Sequence, residues 1–160
     1  CQAFTNVYGL ETVTVRYFNV FGPRQDPLST YAAVIPKFVT AMLRGEPPRV
    51  EGDGLQTRDF TYIDNVVHGT LLACRTPGVA GQVFNIACGS RISLLAMIDL
   101  LNGLLGESIA PDFVAPRPGD VRHSRAAIGK AQRLLAYEPV VSFEEGLART
   151  LAWYRAQVPA

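Results

Sequence analysis

The residues around position 19 constrain the fold most strongly. Val13–Phe18 is rich in β-branched and aromatic side chains and predicts a strand, which Gly22 and Pro23 end shortly after Asn19. The strand therefore opens into a polar loop that carries Arg24. Since ligands of α/β sheets bind just past the carboxyl ends of strands, this loop is a candidate binding site. A polar surface turn without a ligand explains the same spacing.

Helix-like and strand-like segments alternate along the chain. Helices are predicted at residues 31–44, 65–74, 94–105, 125–135 and from 143 onward, the last four opened by Asp64, Ser93, Ser124 and Ser142. Strands are predicted at residues 13–18, 49–50, 57–62, 83–87 and 111–114. The apolar run 83–87 is typical of a buried parallel strand. This order predicts one mixed α/β domain over residues 1–160, with too few strands for a complete doubly wound sheet.

The charge balance and the cysteines argue against several classes of function. The formal net charge of +1 gives no general attraction for nucleic acid or anionic membranes, and no apolar run is long enough to span a bilayer. Cys1, Cys74 and Cys88 lack Cys-x-x-Cys spacing and predict free thiols in a reducing cytoplasm. His68 and His123 lie far apart in sequence, so no metal site is predicted.

Arginines are concentrated in irregular segments of the chain, and such a group of arginines is one way to bind a phosphate. Arg58 lies on a short strand-like segment, and Arg117 and Arg122 lie in a loop rich in proline and glycine. The rigid donor fork of arginine suits phosphate oxygens. Surface ion pairs of Arg58 with Asp59 or Asp120 explain the same pattern without a ligand, so both hypotheses stay open on composition alone.

Four motifs in this order resemble those of one enzyme family: RYFNVFGPRQDP at residues 16–27, YAAVIPK at 31–37, GDG with QTRDF at 52–60, and RPGDVRHS at 117–124. They cover essentially the whole chain. The chain resembles the extended short-chain dehydrogenase/reductase superfamily, and within it the NAD-dependent epimerase/dehydratase family. It is most similar to the branch of UDP-glucose and UDP-N-acetylglucosamine 4-epimerases.

The resemblance implies a Rossmann domain that binds NAD, followed by a smaller domain that binds a UDP-sugar and corresponds to this chain. It implies that Tyr17 and Val20 lie beside the nicotinamide and that Asn19 contacts the sugar-nucleotide phosphates. The residues that match the uridine pocket are Ala33, Val34, Lys37, Phe38, Arg49, Val50 and Glu51.

The same resemblance assigns roles in the second half of the chain. Arg58 and Arg117 match the arginines that bind the diphosphate, and Asp120 matches a ribose contact. Ser124 matches a position that limits the room around the C2 substituent of the sugar, where a small serine favours acceptance of an N-acetyl group.

The catalytic residues of the family are absent from this sequence. Neither Lys37 nor Lys130 follows a tyrosine at Tyr-x-x-x-Lys spacing, and no glycine-rich NAD fingerprint is present. The first residues are typical of a helix end that closes at Gly9. We therefore expect a fragment that is inactive alone, that associates with an NAD-binding half, and that forms homo-oligomers through open strand edges. The alternatives are part of a nucleotide-sugar 4,6-dehydratase or UDP-glucuronate decarboxylase, or a non-catalytic binding module.

Overall fold

The computed structural model describes residues 1–27 and 33–157. The helices are α1 (Gln2–Tyr8), α2 (Val34–Leu43), α3 (Ile63–Arg75), α4 (Leu94–Leu105), α5 (Gly129–Leu135) and α6 (Phe143–Arg155). The strands are β1 (Thr14–Tyr17), β2 (Val20–Phe21), β3 (Arg49–Glu51), β4 (Thr57–Arg58), β5 (Thr61–Tyr62), β6 (Val83–Ile86), β7 (Ile92–Ser93) and β8 (Asp112–Val114). The expected mixed α/β class is confirmed.

The described strands pair two by two into small sheets. β1 lies parallel to β6, with Thr14 opposite Val83 and Tyr17 opposite Ile86. β2 pairs with β5 and β3 with β8, both parallel, whereas β4 and β7 are antiparallel. The predicted parallel setting of β6 is therefore confirmed. Because β1 and β6 run in the same direction, their carboxyl ends meet at one edge.

Two clusters of buried side chains hold these elements together. The larger cluster joins α2, α4 and α6, and at its centre the rings of Phe21, Phe60 and Phe143 lie 5.5–6.5 Å apart between centroids. The smaller cluster packs β6 between α3 and α5 through Phe84 and Tyr137, both 0% exposed. Removal of this apolar surface from water is the main stabilising contribution.

The capping residues behave as predicted for two helices and differently for a third. The hydroxyl groups of Ser93 and Ser142 accept hydrogen bonds from the amides of Ala96 and Glu145, each at 3.1 Å. Asp64, predicted as the N-cap of α3, lies inside the first turn instead, and no side chain caps that helix. Its negative charge still complements the positive end of the helix dipole.

Helix α5 begins at Gly129, not directly after Ser124, so the predicted cap at Ser124 is wrong. The amide of Ser124 donates to the carbonyl of Thr57 at 3.0 Å. The amide of Ala126 donates to the carboxylate of Asp59, also at 3.0 Å. Because these amides bind partners that are far away in sequence, they do not form the hydrogen bonds of a helical turn. The helix therefore begins only at residue 129.

Two other boundaries differ from the predicted ones. The predicted strand 57–62 is divided into β4 and β5 because Asp59 and Phe60, between them, are buried and leave the strand direction. β4 then pairs with β7, and β5 pairs with β2. Helix α2 begins at Val34 within the predicted span 31–44, whose residues 31 and 32 lie outside the described residues.

One face of the chain is apolar and uncovered. The side chains of Phe4, Val7, Tyr8 and Leu10, in and after α1, are all more than half exposed. Gly9 ends α1 with φ 68°, the left-handed conformation expected at this position. Among the described residues, β1 has a strand partner on one side only. No helix in the described ranges combines the length and apolarity needed to cross a membrane.

Gly69 in α3 is the point where that helix approaches β6 most closely. A Cβ atom there would lie 2.7 Å from a methyl group of Ile86 and 3.0 Å from the Tyr137 ring. We expect Gly69→Ala to lower the free energy of unfolding by about 1–3 kcal/mol through overpacking. Gly103→Ala is the matched control, because a Cβ there meets nothing within 4 Å, and it should stabilise by about 0.5–1 kcal/mol. Urea unfolding in which both variants shift alike would contradict this packing.

Candidate functional site

The carboxyl end of β1 carries the residues predicted to lie beside a nicotinamide. Tyr17 ends the strand with its ring 47% exposed, and its hydroxyl shares a 3.0 Å hydrogen bond with Thr70. Asn19 follows in the left-handed region at φ 29°, and its carbonyl accepts from the amide of Thr61 at 3.2 Å. Val20 begins β2. The structure therefore brings these three predicted residues together, with the backbone held and the Asn19 side chain exposed.

A second group of predicted residues meets where β4 faces the arginine-rich loop. The guanidinium of Arg58 donates to the Asp120 carboxylate at 2.6 Å. Gly119, at φ 78°, forms a turn in which the Asp120 amide donates to the Arg117 carbonyl at 3.2 Å. Arg117 therefore lies in the same turn as Asp120. Of the two acidic partners that the sequence left open for Arg58, the structure selects Asp120 over Asp59.

The loop at residues 115–124 is fastened to β4 by backbone hydrogen bonds. The amide of Thr57 donates to the carbonyl of Arg122 at 2.9 Å, and its carbonyl accepts from the amide of Ser124 at 3.0 Å. The Thr57 hydroxyl also lies 2.9 Å from Nδ1 of His123. These contacts place Ser124 directly beside β4, next to the Arg58–Asp120 pair.

A bidentate ion pair joins the same loop to the turn after β3. Both carboxylate oxygens of Asp53 accept from the guanidinium of Arg122 at 2.7 Å, and Asp53 also accepts from the amide of Leu55 at 3.0 Å. The turn needs Gly52 and Gly54, which adopt φ 77° and 75°. The hydrogen bond from Arg122, helped by the one from the Leu55 amide, lowers the pKa of Asp53 from 3.8 to about 2.

We expect this ion pair to persist until strongly acidic pH. A carboxyl group with a depressed pKa contributes its interaction above its unfolded value, and loses it as pH falls from about 3.8 to about 2. Asp53 should therefore still be ionised at a pH where a free aspartate is mostly protonated. Carboxyl-carbon NMR titration measures this, and Arg122→Ala should return the Asp53 midpoint toward 3.8. A midpoint that Arg122→Ala leaves unmoved would show that the ion pair does not form in solution.

The residues predicted for the uridine pocket lie on β3, on α2 and directly before α2. Some of them are exposed to solvent and two are buried. The exposed or partly exposed members are Ala33, Val34, Lys37, Arg49 and Glu51. Phe38 and Val50 belong to the larger buried cluster and are 2% and 0% exposed. Their side chains hold α2 and β3 in place and do not face solvent in this structure.

A cavity of about 650 Å³ lies beside the Asp53–Arg122 pair. The residues that line it are Gly52, Asp53, Phe113, Val114, Pro116 and Arg122. None of the residues predicted from sequence to bind substrate lines this cavity. Phe113, 53% exposed, offers the aromatic surface there, and the sequence did not single it out. Its position follows from the parallel pairing of β8 with β3, which local patterns do not reveal.

Asp59 is the most constrained polar residue near the site, and sequence reasoning did not assign it a role. Its carboxylate is 0% exposed and accepts from the amides of Cys88, Gly89 and Ala126, each at 3.0 Å. It therefore joins β4 to the segment after β6 and to the segment before α5. Because Arg58 directly precedes it, Asp59 fixes the backbone from which Arg58 extends.

The family model for NAD dependent epimerase/dehydratase matches residues 1–87, more than half of the chain. The chain belongs to this family. The family expected from the four sequence motifs is therefore confirmed.

Relatives in the NAD dependent epimerase/dehydratase family match nearly all of this chain. A UDP-glucose 4-epimerase of Mycolicibacterium smegmatis is 36% identical over 95% of this chain and 48% of its own length. The crystal structure of a Thermotoga maritima UDP-glucose 4-epimerase with UDP-glucose is 40% identical, with a TM-score of 0.92 over 99% of this chain and 50% of that one.

A third comparison contains both a nucleotide sugar and a cofactor. A variant of Bacillus cereus UDP-glucuronic acid 4-epimerase, in complex with NAD and a fluorinated UDP-glucuronic acid, is 34% identical, with a TM-score of 0.89 over 99% of this chain and 49% of that one. This chain spans about half the length of the curated relatives that it matches.

Proposed function

We propose that this chain is the single nucleotide-sugar-binding domain of an NAD-dependent UDP-sugar 4-epimerase. The observation that carries the proposal is the Arg58–Asp120 pair, with Arg117 in the same turn and the whole loop fastened to β4. Two guanidinium groups on a fixed frame suit the diphosphate of a UDP-sugar. The matched epimerases, one with UDP-glucose and one with a UDP-glucuronic acid analogue, support this substrate class.

The residues of this chain would bind and orient the substrate. Arg58 and Arg117 would neutralise the diphosphate, and Asp120 would exchange part of its contact with Arg58 for a ribose hydroxyl. Ser124, held beside β4, would border the C2 substituent of the sugar. A substrate held at its diphosphate stays bound while its sugar rotates. Inversion of the configuration at C4 requires this rotation, because hydride must return to the opposite face of the sugar.

The exposed end of β1 suits one wall of a nicotinamide site. The half-exposed Tyr17 ring and the exposed Asn19 side chain lie on a backbone that the Thr61 amide holds in place. NAD, when bound, supplies the hydride acceptor and donor for oxidation and reduction at C4. Tyr17 and Val20 would contact the nicotinamide, and Asn19 would reach between the cofactor and the substrate phosphates.

The uncovered apolar face supports a partner for this chain. We assign it to the NAD-binding Rossmann half, which would cover the exposed residues Phe4, Val7 and Tyr8 and extend the sheet at the open edge of β1. Without that half, the same edge would pair between copies and give homo-oligomers. The free state of all three cysteines suits the reducing cytoplasm.

Isothermal calorimetry with UDP and with uridine tests the binding site. We expect UDP to bind at least about tenfold more tightly, because charge-assisted hydrogen bonds to the diphosphate contribute about 1.5–3 kcal/mol each. Equal affinity for the two ligands would contradict a diphosphate site, and so would the absence of UDP binding.

The purified chain with NAD should not interconvert UDP-glucose and UDP-galactose, because it has no Tyr-x-x-x-Lys pair to act as the base. Chromatographic separation of the two sugars measures this, with a full-length family member as the positive control. Epimerisation by the chain alone would refute the assignment of catalysis to another half. In an assay of the whole enzyme, formation of a 4-keto-6-deoxy sugar from dTDP-glucose would favour the dehydratase alternative.

A further inference from the structure

A second cavity lies between the segment that follows β6 and the segment that precedes α5. Its volume is about 560 Å³, and Cys88, Gly89, Arg91, Arg125 and Ile128 are among its lining residues. Arg58, Arg117 and Asp120 do not line it. It is therefore separate from the candidate UDP-sugar site, and the proposed function does not use it.

Two arginines give this cavity its charge. The Nε group of Arg125 donates to the carbonyl of Gly89 at 2.6 Å, which fixes the guanidinium and leaves its four terminal N–H donors without a protein partner among the described residues. Arg91 is exposed and makes no hydrogen bond or ion pair with any residue in the described ranges. Guanidinium donors that line one cavity and are not used by the protein suit the oxygens of an anion.

Within the described residues, no carboxylate lines the cavity to neutralise these arginines. The carboxylate of Asp59, next to the cavity, is 0% exposed and is held by the three backbone amides described above, so it does not reach an arginine of the cavity as an ion-pair partner. Glu138 does not line the cavity; its carboxylate accepts from the side-chain amide of the lining residue Gln132 at 3.1 and 3.3 Å. Burial raises the pKa of the Cys88 thiol, so this thiol contributes no negative charge at neutral pH.

We propose that this cavity binds a phosphate group, carried by a small phosphate monoester. The doubly charged phosphate matches the two arginines, and the volume exceeds what phosphate alone fills, so an organic substituent has room beside Ile128. Both arginines are exposed; Arg125 is held by the Gly89 carbonyl, and Arg91, which no hydrogen bond holds among the described residues, would close on the ligand.

Amide NMR titration of the full chain with glycerol phosphate, at constant ionic strength, tests the site. We expect saturable shifts at Gly89, Ala127 and the Nε–H of Arg125. Arg91→Ala should weaken the affinity about tenfold or more, since it removes charge-assisted hydrogen bonds. Arg91 makes no hydrogen bond or ion pair with the rest of the described chain, so this variant should keep the fold. Arg125→Lys retains the positive charge and removes the guanidinium fork, so it tests the contribution of Arg125.

Arg75→Ala, an exposed arginine on α3, is the matched control and should leave the titration unchanged. Saturating UDP should also leave it unchanged, which separates this proposal from the proposed function. Inorganic phosphate in a parallel titration identifies the source: equal affinity would assign the site to phosphate itself, and weaker affinity to the monoester. The proposal would be overturned by unsaturable shifts, by shifts that sodium chloride reproduces, by unchanged affinity in Arg91→Ala, or by competition from UDP.

Discussion

Replacing Asp59 by alanine should lower the free energy of unfolding by about 3–5 kcal/mol, the largest single effect that we expect in this chain. The carboxylate is 0% exposed and accepts from three backbone amides, one buried and two part-buried, which alanine would leave without this acceptor. Chemical unfolding followed by circular dichroism measures the change. Domains of this size are stable by about 5–15 kcal/mol, so the variant should retain only part of its stability.

Two further variants make the Asp59 experiment decisive. Asp59→Asn keeps one acceptor oxygen and turns the other position into a donor that faces an amide, so its effect should fall between wild type and alanine. Asp99→Ala, an exposed aspartate on α4, is the matched control and should change stability by no more than about 0.5 kcal/mol. If Asp59→Ala changed stability no more than this control, the three amide hydrogen bonds would not form in solution.

The second large effect concerns ligand affinity. Arg58→Ala and Arg117→Ala together should weaken UDP binding by about 100-fold or more, since each removes a charge-assisted contact of about 1.5–3 kcal/mol. Arg58 is the stronger of the two candidates, because its side chain is 15% exposed and Asp120 already orients it at 2.6 Å. Arg58→Lys keeps the charge and loses the planar fork, so its affinity should lie between wild type and Arg58→Ala.

The controls separate diphosphate binding from general electrostatics. Arg75→Ala removes one positive charge far from the loop in sequence and should leave UDP affinity unchanged. Calorimetry on all variants, with urea unfolding to confirm that each remains folded, gives the comparison. Equal UDP affinity in Arg58→Ala and wild type would remove Arg58 from the site. If Arg75→Ala lost as much UDP affinity as the Arg58 variant, the effect would be explained by net charge alone.

Features encoded by neighbouring residues could be predicted from the sequence. Ser93 and Ser142 cap their helices through amides three positions away. Gly9 takes the left-handed conformation that a helix end favours. Each of these depends on local chemistry, so the sequence contained the whole signal.

Features that depend on distant partners could not be predicted. Asp59 accepts from Ala126, 67 positions away, so nothing near Asp59 revealed its role. The same long-range contact delays the start of α5 and invalidates the predicted cap at Ser124. The partner of Arg58 was ambiguous for a related reason: Asp120 is 62 positions away, whereas Asp59 is adjacent in sequence. The family resemblance supplied the substrate class and the candidate residues, which spacing alone did not.

The way in which the 115–124 loop is fastened has a consequence for the evolution of specificity. The two backbone hydrogen bonds that join it to Thr57 use main-chain atoms of Arg122 and Ser124, so they do not depend on which side chain stands at position 124. In the proposed UDP-sugar site, replacements at this position would therefore enlarge or narrow the space around the sugar without loosening the loop. Such a site would diversify its substrates by single replacements while its framework stays unchanged.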